Sequence, residues 1–306
     1  MMRILFAGSP HTAVVPLRAI REAGFDIVRV FSQPDRPMGR KKIMTPTAVT
    51  SAAREWGIEV SHPVSSAELV TLTEASGADV AIAVAYGRMI PPTALALPTH
   101  GWWNLHFSLL PRWRGATPIQ HALLHGDSVT GVSVFQMDEG LDNGPVLATK
   151  EHIVRALDTS ESLLADLSSE GAEVLVSLLK KLETAPLPHV PQVGEPSYAP
   201  KLTREDGRLN WSEPLREVIN RFRAVTPEPG AHTTLAGGDQ SIGITQLRTI
   251  AGDSALAPGE LSVVSSRVLV GCGDGSLEVV RLKPAGKTEM TALDWWRGVG
   301  AGTRFE

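Results

Sequence analysis

"ADVAIAVAY", residues 78–86, is a run of mainly apolar residues that supplies apolar side chains to both faces of a β-strand. A strand that is apolar on both faces is typical of a parallel sheet covered by helices on each side. The run is far shorter than the roughly 20 residues that a membrane-spanning helix needs. The sequence therefore predicts a buried central strand at this position.

Other short apolar runs alternate with helical patterns on both sides of this strand. Alternation of this kind is what repeated βαβ units produce. We therefore predict an α/β domain with a Rossmann-like, doubly wound and mostly parallel sheet. The further strands are expected in "RILFAG", "DIVRVFSQ", "WWNLHFS" and "TGVSVFQM", and the helices at 12–23, 46–56, 91–97, 116–125 and 160–183.

The last third of the chain has a different pattern. Residues 184–202 are rich in proline and lack periodicity, which predicts an extended linker over the surface. One helical segment and several short alternating segments separated by turn residues then follow, and they favour a small barrel of about five strands. We expect a catalytic domain at 1–183, the linker at 184–202 and a C-terminal domain at 203–306.

Charge and cysteine content restrict the classes of function. The net charge of −4 over 306 residues predicts no attraction of the whole protein to nucleic acid, so a polyanion would have to meet local basic patches. The single cysteine, Cys272, excludes an internal disulfide and fits a reducing compartment. The start "MMRILFAGSP" lacks the pattern of a signal peptide. We expect a cytoplasmic protein without a membrane segment.

Polar side chains lie at the carboxyl end of one predicted strand. In "WWNLHFS" the side chains of Asn104, His106 and Ser108 share one face, because alternate residues of a strand do so. Ligands of open α/β sheets bind at this end of the strands. An amide and an imidazole can stabilise a developing oxyanion and move a proton. The alternative is that His106 is a core histidine satisfied by one hydrogen bond.

An acidic loop, "MDEGLDNGP" at 137–145, follows the next predicted strand and contains Asp138, Glu139 and Asp142. One of these carboxylates would orient the imidazole and favour its charged form. Alternatively, the acidic residues only form an Asx turn. The spacing does not choose between Asp138 and Asp142.

A basic loop, "QPDRPMGRKK" at 33–42, contains Arg36, Arg40, Lys41 and Lys42. Such a loop can contact phosphates without reading sequence, although it could equally be an exposed loop with no partner. The sequence has neither the glycine fingerprint of dinucleotide sites nor a zinc motif. A nicotinamide oxidoreductase is therefore disfavoured, and no metal is expected.

The motifs resemble those of the methionyl-tRNA formyltransferase family, over nearly the whole chain. The most specific is Asn-x-His-x-Ser-Leu-Leu-Pro, which marks enzymes that use 10-formyltetrahydrofolate, and its continuation Arg-Trp-Arg-Gly narrows the group. The matching pieces are "RILFAGSP", "VFSQPDRPMGR", "VAYGRMIP", "NLHFSLLPRWRGATPIQ", "MDEGLDNG", "YAPKLTREDGRLNW" and "LKPAGKTEM".

The resemblance implies a formyltransferase fold followed by an OB-like barrel that binds tRNA. It implies transfer of the formyl group of 10-formyltetrahydrofolate to the α-amino group of methionyl-initiator-tRNA, through an oxyanion-stabilised tetrahedral intermediate. Asn104, His106 and Asp142 would be the catalytic residues, with Asp142 fixing His106. No obligate protein partner is implied, and a monomer is expected.

The resemblance also implies two sets of binding residues. Folate would contact Ser108, Leu109, Leu110, Pro111, Arg88, Met89 and Ile90. The tRNA would contact Arg36, Arg40, Lys41, Lys42 and Lys201. The sequence departs from the family at Phe107, where a small residue is usual, and in a basic loop that is one glycine shorter.

Other functions remain open at this point. The same folate chemistry could serve a small amine acceptor, but a small acceptor needs neither the basic loop nor a C-terminal domain. An inactive folate-binding or RNA-binding module is a further alternative, against which the joint presence of Asn104, His106 and Asp142 argues.

Overall fold

A computed structural model describes residues 1–39, 41–238, 240–250, 256–300 and 302–306. The chain divides into two compact units. The first unit comprises Met1–Pro118, Val129–Ile153 and Leu164–Ala199. The second comprises Ile119–Ser128, Val154–Leu163 and Pro200–Glu306.

Strands and helices alternate through the first two thirds of the chain. In chain order they are β1 (Arg3–Gly8), α1 (His11–Glu22), β2 (Asp26–Phe31), β3 (Arg36–Met38), β4 (Ile43–Thr45), α2 (Ala48–Glu55), β5 (Val60–Ser61), α3 (Ser66–Ser76), β6 (Val80–Val84), α4 (Pro92–Leu95), β7 (Trp102–His106), β8 (Arg114–Gly115), α5 (Pro118–Leu124), β9 (Val129–Gln136), β10 (Val146–Ile153), α6 (Ser160–Leu182) and β11 (Tyr198–Ala199).

The first unit is built on a seven-stranded sheet in the order β10-β9-β7-β6-β1-β2-β5. The five strands from β7 to β5 are parallel, while β9 is antiparallel to both β7 and β10. The quoted run 78–86 contains β6, which is buried throughout and lies between β1 and β7. The predicted Rossmann-like, mostly parallel sheet is confirmed.

Two strands of this sheet and one helix that follows α2 are not predicted by the sequence. Between α2 and β6 the structure has β5 and the helix α3, and β10 follows β9 as an edge strand. The apolar residues of α3 do not form a single stripe, and Thr73 and Ser76 are buried with Leu69. Because this segment lacks the apolar periodicity of an amphipathic helix, its sequence does not predict α3.

One row of paired residues crosses the sheet and fixes the geometry of its carboxyl edge. Asn104 of β7 pairs with Ala83 of β6, Ala83 pairs with Ala7 of β1, and Ala7 pairs with Phe31 of β2. Partners in such a row face the same side of the sheet. Below Asn104, this face is covered by an apolar cluster that includes Tyr86, Ile90 and Trp102, with Met137 packed against it.

The opposite face of β7 packs against α6 at a glycine. A Cβ atom on Gly171 would lie 2.6 Å from Cδ1 of Leu105, which is buried. The glycine that interrupts the apolar pattern of this helix is therefore explained by close packing beneath the strand that carries His106.

Replacing Gly171 by valine should lower the free energy of unfolding by about 1–3 kcal/mol, because the added methyl groups overpack a buried contact. Ser169→Val, at an exposed position of the same helix, is the matched control and should change stability much less. Denaturant unfolding measures both. Adding Leu105→Ala to Gly171→Val should recover part of the loss, and no recovery would contradict this explanation.

The remaining elements belong to the second unit. They are a 3-10 helix (Glu205–Gly207), α7 (Leu215–Val225), β12 (His232–Thr234), β13 (Ser241–Thr249), β14 (Leu261–Val264), β15 (Arg267–Cys272), β16 (Gly275–Pro284), β17 (Met290–Thr291) and α8 (Ala292–Val299).

The second unit is an antiparallel sheet that the C-terminus closes into a barrel. Its strands follow the order β12-β13-β16-β15-β14, with β17 also paired to β16. The N–H of Phe305 donates to the carbonyl of Gly259 before β14 (2.8 Å), and that of Glu306 donates to Thr234 of β12 (2.9 Å). Because these bonds join the two edges of the sheet, the predicted small barrel is confirmed.

No helix among the described residues is long and apolar enough to cross a membrane.

Candidate active site

His106 ends β7 and is held in one orientation. Its side chain is almost fully buried, and Nε2 lies 2.8 Å from the carbonyl oxygen of Trp113. A carbonyl only accepts, so Nε2 carries a hydrogen in this arrangement. The other ring nitrogen, Nδ1, is then the atom available for chemistry.

Asp142 is the carboxylate that faces this nitrogen. Its Oδ2 lies 3.8 Å from Nδ1 of His106, too far for a hydrogen bond but close enough for an ion pair, and both side chains are largely buried. The backbone N–H of Gly115 donates to the same Oδ2 at 2.7 Å. Asp138 instead accepts from the N–H of Gly140 in an Asx turn. The structure thus distinguishes Asp142, which faces His106, from Asp138, which does not; the sequence spacing alone does not make this distinction.

Gly115 must be a glycine for this contact to form. Its φ is +122°, and a Cβ atom there would lie 2.8 Å from the carbonyl oxygen of Ala199 in β11. β8 pairs with β11 at this point, which brings residues of the proline-rich segment against the site.

Gln192, also in the proline-rich segment, forms hydrogen bonds to the loop that contains Asp142. Its Nε2 donates to the carbonyl oxygens of Asp142 and Gly144, both at 2.9 Å. Its Oε1 accepts from Nη2 of Arg114 at 2.6 Å. The sequence does not predict this role for Gln192, because a single glutamine in a segment without periodicity gives no signal.

Asn104 lies two residues before His106 and is half-buried. Among the described residues its side chain has no hydrogen-bond partner. The amide is therefore available as a donor beside His106 on the same face of β7.

The turn after β7 is fixed from below by Ser108. This residue is fully buried, and its Oγ donates to the carbonyl of Arg112 (2.5 Å). Oγ of Ser133 in β9 donates to the Ser108 carbonyl (2.7 Å) and accepts from the N–H of Leu110 (3.1 Å). Leu109, Leu110 and Pro111 remain half-buried at the surface of the turn. Ser133 is a second supporting residue that sequence analysis missed.

The predicted Arg88–Ile90 stretch has three different environments. Both terminal nitrogens of Arg88 donate to the backbone carbonyls of Pro63 and Val64. Met89 is exposed, and Ile90 is buried in the apolar cluster below Asn104.

β3 lies in the basic loop and pairs with β4, which follows the loop, as a β-hairpin. The side chains of Arg36, Lys41 and Lys42 are exposed, as are those of Met38 and Met44. Arg40 lies outside the described residues.

The structure also describes Lys201, a predicted tRNA contact, and Phe107, which departs from the family pattern. Lys201 is exposed and belongs to the second unit. Phe107, the departure from the family pattern, is buried. Within the described part of the chain, no group of three or more His, Cys, Asp or Glu side chains could hold a metal ion.

Comparison with known sequences identifies two family regions. Residues 2–179 match the family described as formyl transferase, and residues 201–300 match the formyl transferase C-terminal domain. A methionyl-tRNA formyltransferase of Arthrobacter sp. (strain FB24) is 48% identical over 97% of this chain and 97% of its own. That of Pseudarthrobacter chlorophenolicus is 48% identical over the full length of both chains.

Solved structures support the fold at low sequence identity. A variant of HypX from Aquifex aeolicus has a TM-score of 0.69 at 18% identity and covers 98% of this chain, which spans about half (47%) of HypX. The sugar 3N-formyl transferase WlaRD has a TM-score of 0.67 at 16% identity and covers 94% of this chain and 99% of its own. With both family regions matched and relatives nearly half identical along its length, this chain belongs to the formyl transferase family, among the methionyl-tRNA formyltransferases.

Proposed function

We propose that this protein transfers the formyl group of 10-formyltetrahydrofolate to the α-amino group of methionyl-initiator-tRNA, for translation initiation. The observation that carries the proposal is the buried pair of His106 Nδ1 and Asp142 Oδ2, 3.8 Å apart, with the free amide of Asn104 on the same strand. The whole-length similarity to proteins named methionyl-tRNA formyltransferase supports the choice of acceptor.

The residues present fit a folate. The face of the sheet that carries Asn104 and His106 lies over an apolar cluster in which Tyr86, Ile90 and Trp102 are buried, and an apolar floor suits a flat ring system. The folate would contact the turn of Leu109, Leu110 and Pro111 and the stretch of Arg88 and Met89. Ser108 and Ile90 are buried and would shape the pocket from below.

The bound folate supplies the formyl group, and attack by the amine places negative charge on the formyl oxygen. The Asn104 amide would donate a hydrogen bond to that oxygen. Since Nε2 of His106 is committed to Trp113, Nδ1 can donate only when the ring is protonated, and the Asp142 carboxylate balances the charge of that state.

The reaction also moves one proton. The amine gives up a proton as its bond to the formyl carbon forms, and the folate nitrogen takes one as its bond to that carbon breaks. Asp142 and His106 would carry this proton, because their facing atoms are close enough to share it through the incoming amine.

For tRNA, we propose that the exposed cations Arg36, Lys41 and Lys42 of the hairpin, together with Arg40, contact the acceptor stem and that Lys201 contacts the RNA near its 3′ end. Residues 1–183 would act as the catalytic domain and 203–306 as the tRNA-binding domain, joined by 184–202. We further propose a cytoplasmic monomer, in keeping with a single cysteine, Cys272, which is buried.

The proposed function is tested by release of tetrahydrofolate from 10-formyltetrahydrofolate in the presence of methionyl-initiator-tRNA. Turnover is expected with this acceptor and not with small amines such as amino sugars. Turnover with a small amine but none with the charged tRNA would overturn the proposal and favour the small-acceptor alternative.

Replacing Lys41 or Lys42 by alanine should raise the KM for tRNA and reduce the slope of log affinity against log salt by about 1 for each phosphate that the lysine neutralises. Lys180→Ala and Lys181→Ala, in the last turn of α6, are matched controls that remove the same charge elsewhere. Filter binding over a range of salt measures the slope. An unchanged slope in the hairpin variants would remove the hairpin from the RNA interface.

A further inference from the structure

A cavity of about 330 Å³ lies at the foot of the basic hairpin. Its walls are mostly apolar and include Pro34, Pro46 and Ala48, with the exposed Met38 of the hairpin at one side. Its polar lining residues include Ser9 and Gln33, and Arg36 of the hairpin also lines it. The proposed formyl-transfer step uses none of these residues, although Arg36 is among the cations proposed to contact the tRNA.

The strand register places this cavity on the same edge of the sheet as His106. His106 lies two residues beyond Asn104, while Ser9 and Gln33 lie two residues beyond Ala7 and Phe31 of the same row. With strands about 4.8 Å apart, the end of β1 is about 10 Å and the end of β2 about 14 Å from the end of β7.

The distance of about 10–14 Å between His106 and the cavity determines which part of the substrate can reach the cavity. A methionyl side chain extends no more than about 6 Å from its amine, because only five bonds join the two ends. In an aminoacyl-tRNA, seven bonds join the amine to the base of the terminal adenosine. The atoms of the adenine ring can therefore lie about 8–12 Å from the amine. The adenine therefore reaches the cavity while the amine is at His106, and the methionyl side chain does not.

The polar groups of the cavity suit an adenine. Nε2 of Gln33 donates to the carbonyl oxygen of Tyr86 (3.1 Å), and its backbone N–H donates to Oγ of Ser9 (3.1 Å). These bonds fix the side chain, and one of the two N–H groups of Nε2 is used by the Tyr86 carbonyl. Among the described residues Oε1 of Gln33 has no hydrogen-bond partner, so it can accept from the amino group of adenine.

We propose that this cavity binds the 3′-terminal adenosine of the charged tRNA, with the base between the proline walls and Met38 and its amino group donating to Oε1 of Gln33. The inference rests on the proposed function, since it assigns part of that substrate to a second subsite. Occupation of the cavity would position the ester-linked amine in front of His106.

The first test changes the ligand. Initiator tRNAs ending in adenosine or inosine are charged chemically with methionine, because inosine carries an oxygen in place of the amino group. For the unchanged protein, kcat/KM should fall about tenfold with inosine, since two acceptor oxygens then face each other. With Gln33→Ala the two tRNAs should differ less than twofold. No loss with inosine, or an equal loss in both proteins, would overturn the inference.

The second test fills the cavity. Ala48→Phe should raise the KM for the charged tRNA about tenfold or more, whereas Ser51→Phe, at an exposed position of the same helix, should leave it within twofold. Equal KM values in the two variants would contradict the inference even if the proposed function holds. Absence of formylation of any charged tRNA by the unchanged protein would refute the proposed function, and this inference with it.

Discussion

Replacing His106 by alanine is expected to lower kcat for formyl transfer by about 10²-fold or more while tRNA affinity stays unchanged. The ring is fixed by the Trp113 carbonyl and faces Asp142. In the proposed mechanism its removal therefore deletes a preorganised donor at the place where negative charge would develop. The measurement is tetrahydrofolate release at saturating charged tRNA, combined with a separate equilibrium binding assay.

Two features make this experiment decisive. His189→Ala, at an exposed position of the proline-rich segment, is the matched control and should retain full turnover. Because His106 also satisfies the Trp113 carbonyl, thermal unfolding of the variant is measured in parallel. If His106→Ala abolished tRNA binding as well as turnover, or kept its turnover, His106 would be a structural histidine.

The sequence alone predicts those parts of the candidate site that lie on a single strand. Asn104 and His106 lie two residues apart in β7, and the apolar residues around them predict this strand. Their common face and their place at the carboxyl edge of the sheet therefore follow from periodicity. The central sheet was predictable for the same reason, since β1, β2, β6 and β7 are short apolar runs bounded by turns.

The rest of the site depends on contacts between distant segments. Asp142 is distinguished from Asp138 by the N–H of Gly115, and the loop is held by Gln192, about 50 residues farther along. The proline-rich segment has no periodicity, and Gln192 within it contacts Arg114, Asp142 and Gly144. Spacing carries no information about such contacts, and so Gln192 and Ser133 were not predicted.

Replacing Asp142 by asparagine is expected to lower kcat by about 10²-fold or more without loss of stability. The amide oxygen can still accept from the N–H of Gly115, so the loop keeps its position, but the negative charge opposite Nδ1 of His106 is removed. In the proposed mechanism the protonated ring that donates to the formyl oxygen would then lack a balancing charge, and the amine would lose an acceptor for its proton.

Two further variants separate charge from structure. Asp138→Asn removes an equal charge from a residue whose hydrogen bonds, from the Gly140 N–H and the Asn143 amide, stay within the same loop, and should keep turnover within about threefold. Asp142→Ala removes the acceptor of the Gly115 N–H as well as the charge, so it should also lower the free energy of unfolding, by about 1–3 kcal/mol. Steady-state turnover and denaturant unfolding of all three variants measure the two effects. If Asp142→Asn and Asp138→Asn lost turnover equally, the role assigned to the 3.8 Å contact with His106 would be wrong.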